Sequence, residues 1–197
     1  MKVRFVLAAV AVAVSTPGFA QEVYDEPVTS AGGHIAVVAG YDGTMASAST
    51  GSDTLDGVAY GVKLGYDFNV IDHGLLGVEV ELNQSTAKFD NGLGDTLKMG
   101  RDLYAGVRLK VDVSETIALY VKGGYTNASL TATTGGAAAS ATMDGWRVGA
   151  GAEIKLGGPF MGLVEYRYSN YGTYGLGFAT PVKIERHQAV AGAGYRF

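Results

Sequence analysis

The side chains of this chain that could do chemistry are charged residues placed on alternate positions of otherwise apolar runs. Lys63 stands in one such run, Glu79 and Glu81 in the next, and Arg108, Lys122, Arg147 with Glu153, and Glu165 with Arg167 in the four after that. Alternate residues of an extended chain share a face, so each run opposes a face of Val, Leu, Ile, Tyr and Phe to a face of charges and glycine. Counting each run from its shorter flanking connection puts Lys63, Glu79, Glu81, Arg108, Lys122, Glu165 and Arg167 at one level, with Arg147 and Glu153 to either side. Charges of both signs at one level, taken out of water, must pair. Two roles follow for such a network: a plug that holds the elements together, or a gate that passes small ions when pairs exchange.

Other chemistry finds less support. His34, His73 and His187 lack the spacing of a metal pair and read as solvated or interfacial, and no metal or cofactor is expected. Gly149-Ala-Gly151 is followed at the third place by Ile154, so the dinucleotide fingerprint fails there. The absence of cysteine removes thiol chemistry and Cys-ligated metal sites. Of the 15 basic and 19 acidic residues, two basic and no acidic residues lie in the first twenty. The remainder carries a formal charge of −6, which argues against nucleic acid as a partner.

Those first twenty residues have a positive start at Met1–Arg4, an apolar run over 5–14 and small residues at Gly18-Phe19-Ala20. This is the pattern of a secretory signal, cut after Ala20, with a helix expected over 5–16. Residues 21–32 read as a lead-in and 33–197 as one domain. No later segment approaches the ~20 apolar residues of a spanning helix, so a membrane could be crossed only by strands.

From residue 33 the pattern predicts eight strands. Ile35, Val37, Ala39 and Tyr41 share a face in the first, and Val58 to Phe68 alternate cleanly in the second. Leu76, Val78, Val80 and Leu82 oppose Gly77, Glu79, Glu81 and Asn83 in the third. Four further strands lie near 101–111, 117–125, 146–156 and 160–169. The eighth runs from about 182 to 197. Connections at 69–74, 112–115 and 157–159 are short; those near 43–56, 86–99, 127–143 and 171–181 are long, and 126–142 reads as a mobile loop. Regular alternation of short and long connections fits an up-and-down barrel better than a sandwich.

The last strand places Tyr195 and Phe197 on one face and Gly192, Gly194 and Arg196 on the other. Gly192, Tyr195 and Phe197 match the C-terminal assembly signal of bacterial outer-membrane barrels, although Val190 stands where that signal is usually polar. Over 33–197 the chain resembles the small OmpA/OmpX-type eight-stranded outer-membrane barrels. The resemblance implies an all-β, antiparallel transmembrane barrel, apolar faces toward lipid and charged faces inside, with the short turns periplasmic. It also implies outer-membrane lipids and lipopolysaccharide as surroundings, barrel-assembly machinery that reads the last strand, and a monomer. A peptidoglycan-binding domain of the kind many OmpA-like proteins carry is not seen after Phe197. The expected role is structural, supporting the envelope and making surface contacts through four outer loops. A narrow ion channel is the alternative. Some relatives of this kind modify lipid A or cut peptides, but the histidine that would precede a serine by two residues is here His187, followed by Gln188 and Ala189. A soluble lipocalin-like barrel would turn the faces the other way.

Overall fold

A computed structural model describes residues 31–48, 51–71, 74–90, 96–134, 136–174 and 182–197. The expected signal segment, its helix over 5–16, nearly all of the lead-in and His73 lie outside these residues. Nine strands follow in order: β1 (Gly32–Ala48), β2 (Gly51–Ile71), β3 (Gly74–Ser85), β4 (Lys88–Asp90), β5 (Thr96–Asp112), β6 (Ile117–Thr134), β7 (Ala137–Gly157), β8 (Phe160–Tyr174) and β9 (Val182–Arg196). Gly32, expected in the lead-in, already belongs to β1.

Every pairing is antiparallel, and strands consecutive in the chain pair with one another except β3 with β4. The ring closes where β1 meets β9, from His34 opposite Arg196 to Ser47 opposite Lys183. β4 continues the line of β3 after a kink at Thr86 and Ala87, packing between β2 and β5. The barrel is therefore eight-stranded, with one strand made in two pieces. The kink brings backbone against backbone: a Cβ on Gly57 would lie 2.5 Å from Ala87 Cα, so only glycine fits there. At the β7–β8 turn, Gly157 and Gly158 take φ of +107° and +55°, a conformation that glycine adopts without penalty.

The faces sort as the alternation requires. Val58, Tyr60, Val62, Leu64, Tyr66 and Phe68 of β2 point outward and are exposed, while Ala59, Lys63 and Asp67 are buried inside. The same division holds for Leu76, Val78, Val80 and Leu82 against Glu79, Glu81 and Asn83 on β3. A soluble barrel would put these apolar faces within.

The long connections differ from expectation. Residues 43–48 and 51–56 are strand, paired up to Ala48 opposite Gly51. The segment read as a loop over 126–142 is the continuation of a hairpin paired up to Thr134 opposite Ala137. Residues 171–174 extend β8, and 88–90 and 96–99 are paired as well. The strands thus run to 21 residues in β2 and β7, where 9–11 suffice to cross a bilayer at a tilt. Thr, Ser, Ala and Gly in these segments form no apolar alternation, yet their backbones pair across each hairpin. That pairing outweighs the weak strand preference of the side chains.

Candidate functional site: the charged lumen

Inside the barrel the ionic side chains stack along the axis in three levels. At the end near the termini, Asp67 accepts hydrogen bonds from Arg108 (2.6 and 2.8 Å), Lys110 (3.0 Å) and Arg196 (2.9 Å). Glu153 accepts from the same three residues at 2.7, 2.8 and 3.2 Å. His34 belongs to this level, its Nδ1 3.3 Å from Arg108. It is buried, and the expectation that it is solvated or interfacial is corrected: β1 begins early enough to turn residue 34 inward.

At the middle level Lys63 donates to Glu165 at 2.6 Å and lies 3.2 Å from Glu79 and 3.5 Å from Glu81. Lys122 reaches the same three carboxylates, at 2.9 Å from Glu79, 2.8 Å from Glu165, and in close contact with Glu81. Arg167 pairs with Glu165 and, at 3.2 Å, with Glu81. Glu79, Glu81 and Glu165 come close enough together to hold a metal ion, but the ammonium groups of Lys63 and Lys122 fill that role. Tyr120 donates its hydroxyl to Glu165 at 2.6 Å and offers its ring to Lys63 and Arg108, 5.5 and 5.6 Å from the centroid. Tyr104 likewise offers its ring to Lys122 and Arg147, at 4.6 and 5.5 Å.

The third level is made by Asp42 and Asp102. Arg186 donates to Asp42 through two nitrogens at 2.5 and 2.7 Å and to Asp102 at 2.8 Å. Arg147 pairs with Asp102 at 2.5 Å and with Glu81 at 3.2 Å, which ties this level to the middle one. Arg108, 3.5 Å from Glu79, ties the middle to the first. Above the third level the lumen turns apolar: Leu55, Met99, Leu130, Met143, Tyr171 and Ile184 form one buried cluster across it.

All nine charges singled out in the sequence lie in this network. Seven participants were not among them: His34, Asp42, Asp67, Asp102, Lys110, Arg186 and Arg196. Asp67, Asp102, Lys110 and Arg196 share the alternating inner face, so the signal was there. They stand at other depths than the level at which most of the nine lie, because the strands carry the charged face well beyond a single level. Glu81 pairs with Lys63, its register partner on β2, and with Lys122, Arg147 and Arg167, but not with Arg108.

Of the terminal residues, Gly192 faces inward against the β1 backbone, where a Cβ would lie 2.3 Å from the Val37 carbonyl oxygen. Tyr195 and Phe197 point outward, with ring centroids 5.2 Å apart, and Tyr195 meets Phe160 edge-on at 5.7 Å. The hydrogen-bond partner of His187 is the Tyr166 hydroxyl at 2.6 Å, so among the described residues neither His187 nor His34 is set beside a serine.

A closed antiparallel ring with an apolar exterior and an ion-paired interior defines a transmembrane β-barrel, because closure leaves no strand edge unsatisfied in hydrocarbon. The chain belongs to the outer membrane protein beta-barrel domain family, which residues 6–197 match, and its place is the bacterial outer membrane. It is 32% identical over 171 residues to the 25 kDa outer-membrane immunogenic protein of Brucella abortus, covering 85% of this chain and 79% of that protein. Its fold is similar to that of Neisserial surface protein A, with a TM-score of 0.58 at 19% identity, over 83% of this chain and 97% of that one. It is also similar to Ail, the attachment invasion locus protein of Yersinia pestis, with a TM-score of 0.56 at 16% identity, over 84% and 99%.

Proposed function

We propose that this protein is a non-conducting structural barrel that supports the integrity of the outer membrane and presents its outer hairpins for surface contacts. The observation that carries this reading is the apolar layer of Leu55, Met99, Leu130, Met143, Tyr171 and Ile184 above the ion pairs. An ion moving along the lumen would have to lose its water there with little beyond the Tyr171 hydroxyl to replace it, and isolated charge in such surroundings is strongly unfavourable. Below that layer each carboxylate of the network but Asp42 has at least two cationic partners, and Asp42 gives both oxygens to Arg186 and accepts from Ser85. Charges so compensated hold strands together, and freeing one leaves its partners buried and unpaired. The lumen network of Lys63, Glu79, Glu81, Arg108, Lys122, Arg147, Glu153, Glu165 and Arg167 is on this reading a plug, and no catalytic role is assigned to it.

One observation favours the alternative of a narrow gated channel. Lys63 and Lys122 share the same three glutamates, an arrangement in which partners could exchange at little cost. Planar-bilayer recording of refolded protein separates the two. The plug predicts no steady conductance above bare membrane, and stepwise, voltage-stable conductance would replace it with the channel. Tyr195 and Phe197, outward at the end of β9, fit recognition of the last strand by barrel-assembly machinery.

A further inference from the structure

Between β7 and β8 the wall of the barrel is paired only as far out as Trp146, which stands opposite Asn170. β8 then bulges between Asn170 and Gly172. Asn170 Oδ1 accepts a hydrogen bond from the Gly172 N–H at 2.9 Å, and Gly172 takes φ of +80°, a conformation that glycine adopts without penalty. Beyond the bulge β8 follows β9 to Tyr174 opposite Val182 and leaves β7. The outer part of β7 is held on one side by β6, up to Ala137 opposite Thr134. Among the described residues, no strand pairs with its other edge over 137–143. The connection 175–181 is too short to cover that edge. It leaves Tyr174 and returns to Val182, the register partner of Tyr174, so going out and back it reaches about 10 Å along an edge of about 20 Å at ~3.3 Å per residue.

The groups on this edge follow from the ladder on the opposite side. Lys155 N–H donates toward β6, to Thr116 O at 2.9 Å, and the β6–β7 register runs without a shift from Ile154 to Ala137. Successive residues of a strand turn their backbone groups to opposite sides, so Ala138, Ser140 and Thr142 present N–H and C=O to the free edge. Exposed edges are ordinarily kept from pairing by lysine, proline or a bulge. Residues 137–143 read Ala-Ala-Ala-Ser-Ala-Thr-Met, are neutral, and have none of these.

We propose that this edge pairs with the same edge of a second copy standing in a facing membrane, so that one antiparallel sheet joins two outer surfaces. Identical strands pair about a two-fold axis, here with Ser140 opposite Ser140 and Ala138 opposite Thr142. That register satisfies the N–H and C=O of all three residues and sets no like charges against each other. Copies in one membrane run their β7 strands in the same direction and cannot meet antiparallel, whereas copies in facing membranes can. One such contact is small beside the ~1,200–2,000 Å² of a stable interface, so it acts through many copies on each surface. The inference deepens the surface-contact role proposed above and rests on the hairpins standing outward.

The test is clustering of two dye-labelled populations of proteoliposomes carrying refolded protein, read by energy transfer between the dyes. Wild-type vesicles should cluster with one another and not with protein-free vesicles. The chain has no cysteine, so Ser140→Cys reports the register. Opposed residues of a hydrogen-bonded pair lie about 5.5 Å apart at Cα, within disulfide reach, and oxidation should link copies from different vesicles. Ser140→Pro removes a donor of the free edge and none of the β6 ladder, and should lose clustering. Ala138→Lys/Thr142→Lys sets lysine opposite lysine and should lose it too, while mixing these vesicles with Ala138→Glu/Thr142→Glu vesicles should restore it. If Ser140→Pro folds poorly, the charge exchange carries the test. Absence of wild-type clustering, undiminished clustering by folded variants, or clustering with protein-free vesicles overturns the proposal. So does binding of an unrelated neutral extended peptide at this edge in place of a second copy. Impermeant labelling of Ser140→Cys on intact cells reports the orientation separately, which tells an inverted barrel from an edge that does not pair.

Discussion

Arg186 on β9 lies 2.8 Å from Asp102 on β5, and these two strands stand on diametrically opposite sides of the eight-membered ring. One side chain and its partner therefore span the whole lumen, which explains how so narrow a barrel fills its interior. Asp102 serves Arg147 as well, at 2.5 Å. Asp102→Ala should cost about 3–5 kcal/mol, the penalty for stranding buried charge, read as a fall in the denaturant midpoint in lipid vesicles. Adding Arg147→Met should recover part of the loss, because the two changes couple. An additive double variant would show that Asp42, Glu81 and Ser169 already suffice for the arginines.

The orientation of the faces is tested at adjacent residues. Val80 points out and Glu81 points in. Val80→Arg should cost about 2–4 kcal/mol near the midplane, a sizeable part of a folding free energy of ~5–15 kcal/mol. Glu81→Gln should cost less, and Lys122→Met should relieve it while Arg108→Gln should not, since Arg108 is not a partner of Glu81. Refolding yield and denaturant midpoint measure both.

The apolar layer makes its own prediction. Met143→Ala should destabilise the barrel by about 2–5 kcal/mol, as truncation of a buried methionine does, while leaving bilayer recordings silent. Removing three members together, Met99→Ala/Leu130→Ala/Met143→Ala, should admit water and produce measurable conductance. Silence in a folded triple variant would move the seal to the ion pairs below.

Topology is open to labelling. Cysteines at Thr50, Gly92, Ala138 and Gly175 should react with an impermeant reagent on intact cells. A cysteine at the exposed Ser114 should react only once the outer membrane is opened. The reverse pattern would invert the barrel.

The aromatic pair at the end of β9 should matter for insertion more than for the finished fold. Phe197 is 76% exposed, so Phe197→Ala removes little packing and should leave the melting of refolded protein nearly unchanged. The amount inserted in cells should fall several-fold. Normal insertion of this variant would remove the assembly role of Phe197.

The sequence by itself determined the strands that face lipid. Val58 to Phe68 and Leu76 to Leu82 alternate without interruption, and a period of two across a membrane leaves one choice of inside and outside. It also placed Lys63, Glu81 and Arg167 within, since charge on the same strands has nowhere else to go. The tertiary structure alone decided which charges meet. Arg186 and Asp102 are 84 residues apart, and whether they touch depends on the stagger of strands around the closed ring, which no local pattern encodes. The hairpins beyond the membrane were likewise hidden, because Thr126–Thr134 and Ala137–Thr142 hold strand conformation through backbone pairing rather than through apolar alternation. The same closure gathered Leu55, Met99 and Met143, which stand out little in sequence, into the layer that seals the lumen.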